Sequence, residues 1–354
     1  MRRGRARVAA VAATSLMGSL VLVGPAEAAH VGCGTVITQD ATLHGNVGPC
    51  TGGGIIIETD GITLNLNGHA VFGTTEPGEG AGILLRQVTG VTVHSGTVAR
   101  FDGGVVIEGG GYNSIGRITA RDNVGRSSSH PAAAPTLYGD GIAVQSSTHN
   151  RIVDNHTLGN GPFSGIGLYE LADNDHPTTP GTPNGDNLVR NNVVQDNVAC
   201  RAGATAPFCD NDGIRIEPAV GPRNVIDSNV VRGNGLDGIS LFGRTHDNRV
   251  TNNSVGENGF NGAVRGDGIR VFGFRNLIQG NQVFANALDG ISVGRRGIAP
   301  PGSLPAPNGR DNRILDNVTG RNSRVDLYDS NPDCDNNIWQ GNVYDLATPA
   351  CTQG

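Results

Sequence analysis

The sequence predicts an all-β fold, a right-handed parallel β-helix of about ten coils with Asn-rich turns. Three observations predict it. First, asparagines recur five residues apart, at Asn150/Asn155/Asn160, Asn187/Asn192/Asn197, Asn224/Asn229/Asn234, Asn248/Asn253/Asn258, Asn276/Asn281/Asn286 and Asn312/Asn317/Asn322. Asn337/Asn342 is a truncated last copy, and Asn113/Asn123 a worn early one. Second, Asp-Gly-Ile opens an apolar run at Asp140, Asp212, Asp237, Asp267 and Asp289. Third, the runs between these marks are too short for an amphipathic helix, and none has a 3.6-residue period.

Each unit reads as three short strands. Period-two alternation sends Ile239 and Leu241 inward and Ser240 and Phe242 outward. Corners between such strands favour residues that tolerate the left-handed region, and the asparagines are expected to fill that role. Stacked coils would then set their amides in hydrogen-bonded ladders.

From the amino terminus, residues 1–29 read as a secretory signal. Arg2, Arg3, Arg5 and Arg7 form a basic start, 8–23 is apolar, and Ala26-Glu27-Ala28 is a small-x-small cleavage site. The apolar stretch is short for a bilayer span. Residues 30–354 are then expected to form one β-helix domain, secreted to the extracellular space, monomeric and free of membrane. Removing the four Arg and one Glu of the signal deepens the formal charge from −6 to −9. That balance argues against nucleic acid or an anionic membrane surface as the main partner.

First strands are expected near Ile55, Ile83, Val105, Ile142, Ile166, Ile214, Ile239, Ile269, Ile291 and Val325. Six cysteines in an exported chain read as three disulfides. Spacing pairs Cys33 with Cys50, Cys200 with Cys209 and Cys334 with Cys351. The outer two would tie down the ends of the solenoid, where strand edges are unpaired.

Asp60-Gly-Ile-Thr-Leu-Asn-Leu-Asn-Gly-His69, the Asn repeats, and Cys334 followed by Asn337-Ile-Trp339-Gln-Gly-Asn342 carry a resemblance. The chain resembles the right-handed parallel β-helix proteins of the pectin-lyase-like superfamily over nearly all of the mature sequence. That resemblance implies the solenoid fold and a polysaccharide partner, since the superfamily holds lyases, hydrolases, epimerases and phage tailspikes. It does not supply a site. Of the polygalacturonase-like patterns only Asn211-Asp212-Gly213 is faintly matched, and the Asp-Pro-His of alginate epimerases is absent. The chain has no Lys, which excludes a Lys base.

The site is therefore read from position. Insertions at 124–138, 199–211 and 259–266 precede the first strand, and insertions at 170–185 and 294–310 follow it, so both sets wall one face. On that strand one outward column holds Arg215, Ser240 and Arg270, and the next holds Tyr169, Glu217, Phe242 and Phe272. Tyr169, Phe242 and Phe272 are candidate sugar platforms, or a minor apolar cluster under a loop. Asp212 and Asp237, with Arg215, Glu217 and Arg270, form the candidate catalytic cluster. Like charges on neighbouring coils raise one another's pKa, as an acid–base pair needs. The competing reading is that Asp before Gly caps backbone N–H groups and that each Arg pairs with a neighbouring Asp. Arg215 and Arg270 stand two coils apart, about 9.6 Å, near a two-sugar repeat. No cofactor is expected. Asp173-Asn174-Asp175 offers a weak oxygen set for calcium.

Overall fold

The computed structural model describes residues 31–74, 80–125, 139–169, 184–200, 211–217, 222–243, 245–259, 266–294, 309–331 and 333–354. The expected signal lies outside these residues. The described chain is an all-β parallel solenoid. Its first sheet holds twelve strands in chain order, from Thr35–Ile37 to Ala347–Thr348. Those two terminal strands are additional to the ones located from the sequence, and the expected start at Val325 falls instead at Leu327–Asp329. The only helical segments among the described residues are two short 3-10 turns, Cys334–Asn336 and Ala350–Gln353.

Stacking aligns like with like. Ile214, Ile239, Ile269 and Ile291 are register partners on successive coils. All four are fully buried, as are Ile216, Leu241, Val271 and Val293. One apolar core runs the length of the rod. The second and third strands of each coil form two further parallel stacks. The long strands Thr92–Ala99 and Ser114–Arg121 bridge them in the early coils, where no middle Asn interrupts the run.

The corners correct the expectation for asparagine. The left-handed residue is the one before each ladder Asn, for example Asp154, Asn191, Ser228, Asn252 and Asp316, with φ between 51° and 59° at these positions and their equivalents Asp122 and Asp196. The ladder asparagines point inward instead, half-buried at Asn322 and Asn342 and buried elsewhere. At a corner the chain turns out of the strand ladder, and the Asn amide supplies the missing bonds. Asn192 shows the pattern: its N–H and its Nδ2 both donate to Asn229 Oδ1, at 2.9 and 3.0 Å, and Nδ2 also donates to the Ile152 carbonyl at 2.8 Å. Its own Oδ1 accepts the same two donors from Asn155. The expected stacked ladder is thus present, in three columns that begin at Asn113, Asn155 and Asn123.

The Gly of Asp-Gly-Ile is fixed by close approach. A Cβ on Gly238 would stand 2.6 Å from the Gly268 carbonyl oxygen and 2.7 Å from Asn258 Nδ2. Disulfides Cys33–Cys50 and Cys334–Cys351 close the two ends as expected. Cys200 is disulfide-bonded, but Cys209 lies outside the described residues.

Candidate functional site

The Asp residues that open the first strands form a column, and Asp212, Asp237 and Asp267 each cap the next coil. Asp212 Oδ1 accepts the Asp237 N–H at 3.0 Å, Asp237 Oδ1 accepts the Asp267 N–H at 2.9 Å, and Asp267 Oδ1 accepts the Asp289 N–H at 3.1 Å. One oxygen of each carboxylate is thereby occupied with backbone. The second oxygen faces the outward side. Asp237 Oδ2 accepts the Ser240 hydroxyl, Asp267 Oδ2 accepts the Ser292 hydroxyl at 2.6 Å, and both Asp289 oxygens take the Arg324 fork at 3.0 Å.

Two guanidinium groups neutralise part of this column. Arg215 donates to Asp212 Oδ2 at 3.2 Å and, through Nε, to Glu217. Its guanidinium lies over the Phe242 ring at 4.3 Å and the Phe163 ring at 5.1 Å. Arg270 donates to Asp237 Oδ2 at 3.5 Å and stands 3.9 Å from Asp267 Oδ2, with Phe272 beneath it at 4.5 Å. Phe242 and Phe272 contact one another, with ring centres 5.6 Å apart. Asp212, Asp237, Arg215, Arg270 and Phe272 are all buried, while Phe242 and Glu217 are half-buried. The structure therefore brings the five sequence-selected charged residues together, but as ion pairs formed within the chain, with Arg270 Nε buried and without a hydrogen bond.

Tyr169 departs from its expected place on the solvent side. The register partner of Arg215 is Gly167, and without a side chain there the Tyr169 ring folds back across the strand. Its hydroxyl donates to Asp140 Oδ1 at 2.7 Å and lies 2.9 Å from Ser164 Oγ. Asp140 Oδ1 also accepts the Ser164 N–H and hydroxyl, whereas Asp140 Oδ2 is buried without a partner. Ala81, Val106, Ala143, Phe163 and Tyr169 make a small apolar cluster around this group.

The electrostatics follow from burial. Asp140 is raised to about 6, chiefly because burial penalises its charge, against the pull of its Ser164 and Tyr169 hydrogen bonds. Asp267 is also raised to about 6, by burial first and then by the Asp237 charge one coil away. The Tyr169 hydroxyl is pushed up by burial and by Asp140. Asp186, Asp227 and Asp247, on another face, move the opposite way. Asp247 falls to about 2 because the Arg275 fork holds it ionised.

Sequence reasoning missed Phe163, Ser164 and Arg324 as members of this network, and gave Asp140 no special place. The signal for the Asp140 group was Gly167 in the outward column, the one position with no side chain to hold a neighbour's ring away. The loop with Asp173, Asn174 and Asp175 lies outside the described residues.

A profile of the "Right handed beta helix region" matches residues 30–255, well over half of the chain. A search of curated proteins finds no match. Among solved structures, the periplasmic alginate epimerase AlgG superposes with a TM-score of 0.56 at 13% identity, covering 89% of this chain and 78% of that one. The A-module of the Azotobacter vinelandii mannuronan C-5 epimerase AlgE6 gives 0.48 at 15% identity, covering 88% and 85%. The Dettilon tailspike protein gives 0.47 at 17% identity over 87% of this chain, which spans about half (51%) of the tailspike's length. Stacked Asn ladders, a twelve-strand parallel first sheet and the matched profile agree, and the chain belongs to the right-handed β-helix family.

Proposed function

We propose that this is an exported β-helix that acts on an acidic polysaccharide laid along the outward face of its first sheet. One observation carries the reading. Asp140, Asp212, Glu217, Asp237 and Asp267, two guanidinium groups and three phenyl rings converge on that face within a few coils. Two of the three described carboxyls held above their ordinary range, Asp140 and Asp267, belong to it. Perturbed carboxyls gather where protons are moved. In this reading Asp267, raised to about 6 beside Asp237, holds its proton at mildly acidic pH and serves there as the acid. Glu217 and Phe242, the least buried members, meet the chain of sugars. The end disulfides and the expected signal support export. The polysaccharide-modifying β-helices similar in fold make the substrate class a natural first choice.

A binding-only role is the second reading. The internal ion pairs favour it, because Arg215 and Arg270 are already held by Asp212, Glu217, Asp237 and Asp267. The test is a panel of alginate, polygalacturonate and neutral glycans, followed for new reducing ends and for the ultraviolet absorbance of unsaturated uronides. Product formation that falls by about a hundredfold or more in Asp267→Asn supports the enzyme. Binding without product supports the second reading. No binding to any acidic glycan removes both. An Arg215→Ala, Arg270→Ala double variant that melts and processes its ligand like the wild type places the ligand elsewhere.

A further inference from the structure

A second surface stands apart from the first-sheet face, on the corner between the first and second strands. One left-handed residue per coil forms a column there: Gly61, Gly90, Tyr112, His149, Asp186, Arg223, Asp247, Arg275 and Asp311. Backbone hydrogen bonds tie the column coil to coil, from Gly61 N–H to the Thr89 carbonyl, Gly90 N–H to the Gly111 carbonyl and Tyr112 N–H to the Thr148 carbonyl. Below Tyr112 the side chains fill the column continuously. Tyr112 stacks on His149 with ring centres 4.5 Å apart and 16° between planes. His149 stands 3.9 Å from Asp186, Arg223 forks onto Asp186, and Arg275 forks onto Asp247.

Above Tyr112 the column is empty. The two preceding coils place glycine there. A Cβ on Gly90 would meet nothing nearer than the Gly61 Cα at 3.8 Å, and one on Gly61 would meet nothing within 4 Å. Tyr112 is 63% exposed, so its ring continues the stack into open space. The missing side chains leave a shelf two coils deep, about 9.6 Å. Its floor is glycine backbone and its end wall is an aromatic face. Asp60, at the far end, reaches toward Tyr112: its Oδ1 accepts the Thr89 N–H one coil on, at 2.8 Å. Asp60, Gly61, Thr89, Gly90, Tyr112 and His149 are all exposed.

We infer that this shelf is a saccharide-binding site that takes a neutral pyranose ring, stacked on the free face of Tyr112 with its hydroxyls turned to Asp60. The chemistry selects the ligand. A pyranose chair, lying with its C–H face on the ring, fills about one coil spacing, as the His149 ring does on the other side. An apolar C–H face matches the tyrosine ring, whose polar edge stays wet. A carboxylate beside the shelf accepts sugar hydroxyls but repels a uronate. The site therefore differs in ligand from the acidic-glycan face, and it stands or falls independently of that reading.

The test uses the full mature protein and ligand-observed NMR, with saturation transferred from aromatic protons. The probes are cellohexaose, mannohexaose and maltohexaose, set against hexagalacturonate and adenosine. Two variants bracket the shelf. Tyr112→Ala removes the wall and is expected to weaken binding of a neutral hexasaccharide about tenfold. Gly90→Asn fills the shelf; Asn accepts the left-handed backbone at Gly90, φ 73°, so the melting temperature is expected to hold. Loss of binding in both variants, with an unchanged melting temperature in the second, establishes the site. The inference is overturned if no neutral hexasaccharide binds, if either variant binds as the wild type does, if hexagalacturonate binds as tightly, or if adenosine alone binds.

Discussion

An asparagine in these ladders does at a corner what a strand backbone does between corners. Asn229 accepts two donors from Asn192 on Oδ1 and donates from Nδ2 to the Val189 carbonyl and to Asn253 Oδ1, both at 3.0 Å. Asn229→Ala leaves a buried N–H and a buried carbonyl without partners, so we expect a loss of about 3 kcal/mol or more, read by denaturant unfolding. The carboxyls of the first-sheet face give a pH signature. Asp140 and Asp267 are raised from 3.8 to about 6, so the folded state binds their protons more tightly than the unfolded state. Their stabilisation is complete below pH 3.8 and is lost as pH rises through about 6. Asp140, being wholly buried, contributes roughly 3 kcal/mol of this slope. Asp247, lowered to about 2, works in the opposite sense, and its contribution disappears only as pH falls below 3.8 toward 2. A melting series from pH 4 to 7 should therefore fall, and should fall less in Asp140→Asn. An unchanged slope in that variant would show that Asp140 does not titrate in this window.

At the level of strands and turns, close packing decides which glycines matter. Gly238→Ala forces a methyl against the Gly268 carbonyl and Asn258, and should cost about 1–3 kcal/mol. Gly45→Ala meets nothing within 4 Å and should stay within about 0.5 kcal/mol. Differential scanning calorimetry of the two separates a stacking requirement from mere flexibility. Most of this level was legible in the sequence, because the five-residue Asn spacing and the Asp-Gly-Ile starts record one repeated hydrogen-bond need per coil. The left-handed position was misplaced by one residue, onto the ladder Asn. Its occupants vary among Asp154, Asn191, Ser228 and Gly280, so no single residue type marks it. The site was legible as a column of charges: Asp212, Arg215, Glu217, Asp237 and Arg270 do meet. Their internal pairing was the competing reading, and only side-chain directions could decide it. The folding of Tyr169 over Gly167 does not follow from alternation, since it depends on which neighbour a ring meets across the sheet; its one mark in the sequence is the missing side chain at Gly167.

For the whole molecule, a solenoid touches only its neighbours, and its ends are where it can unravel. The two end disulfides each close a loop of separation 17, which is worth about 3 kcal/mol in chain entropy. Reduction should release protection from hydrogen exchange first in 31–57 and 334–354 while the central coils stay closed. Uniform loss of protection along the rod would mean that it unfolds as one unit.

The ladders also set how this protein ages. Asparagine followed by glycine is the pair most prone to lose its amide, because the next backbone nitrogen must swing onto the side-chain carbonyl. Asn160-Gly161, Asn234-Gly235 and Asn258-Gly259 are such pairs, yet each amide is locked between coils, as Asn234 is between Asn197 and Asn258. Asn67-Gly68 is exposed and left-handed, with its Nδ2 donating only to the Leu43 carbonyl at 3.3 Å. Stored at mildly alkaline pH, the molecule should accumulate isoaspartate at Asn67 long before any ladder position. Among the described residues, a bottle of old protein would then carry its chemical clock at the amino-terminal coil, with the ladders still new.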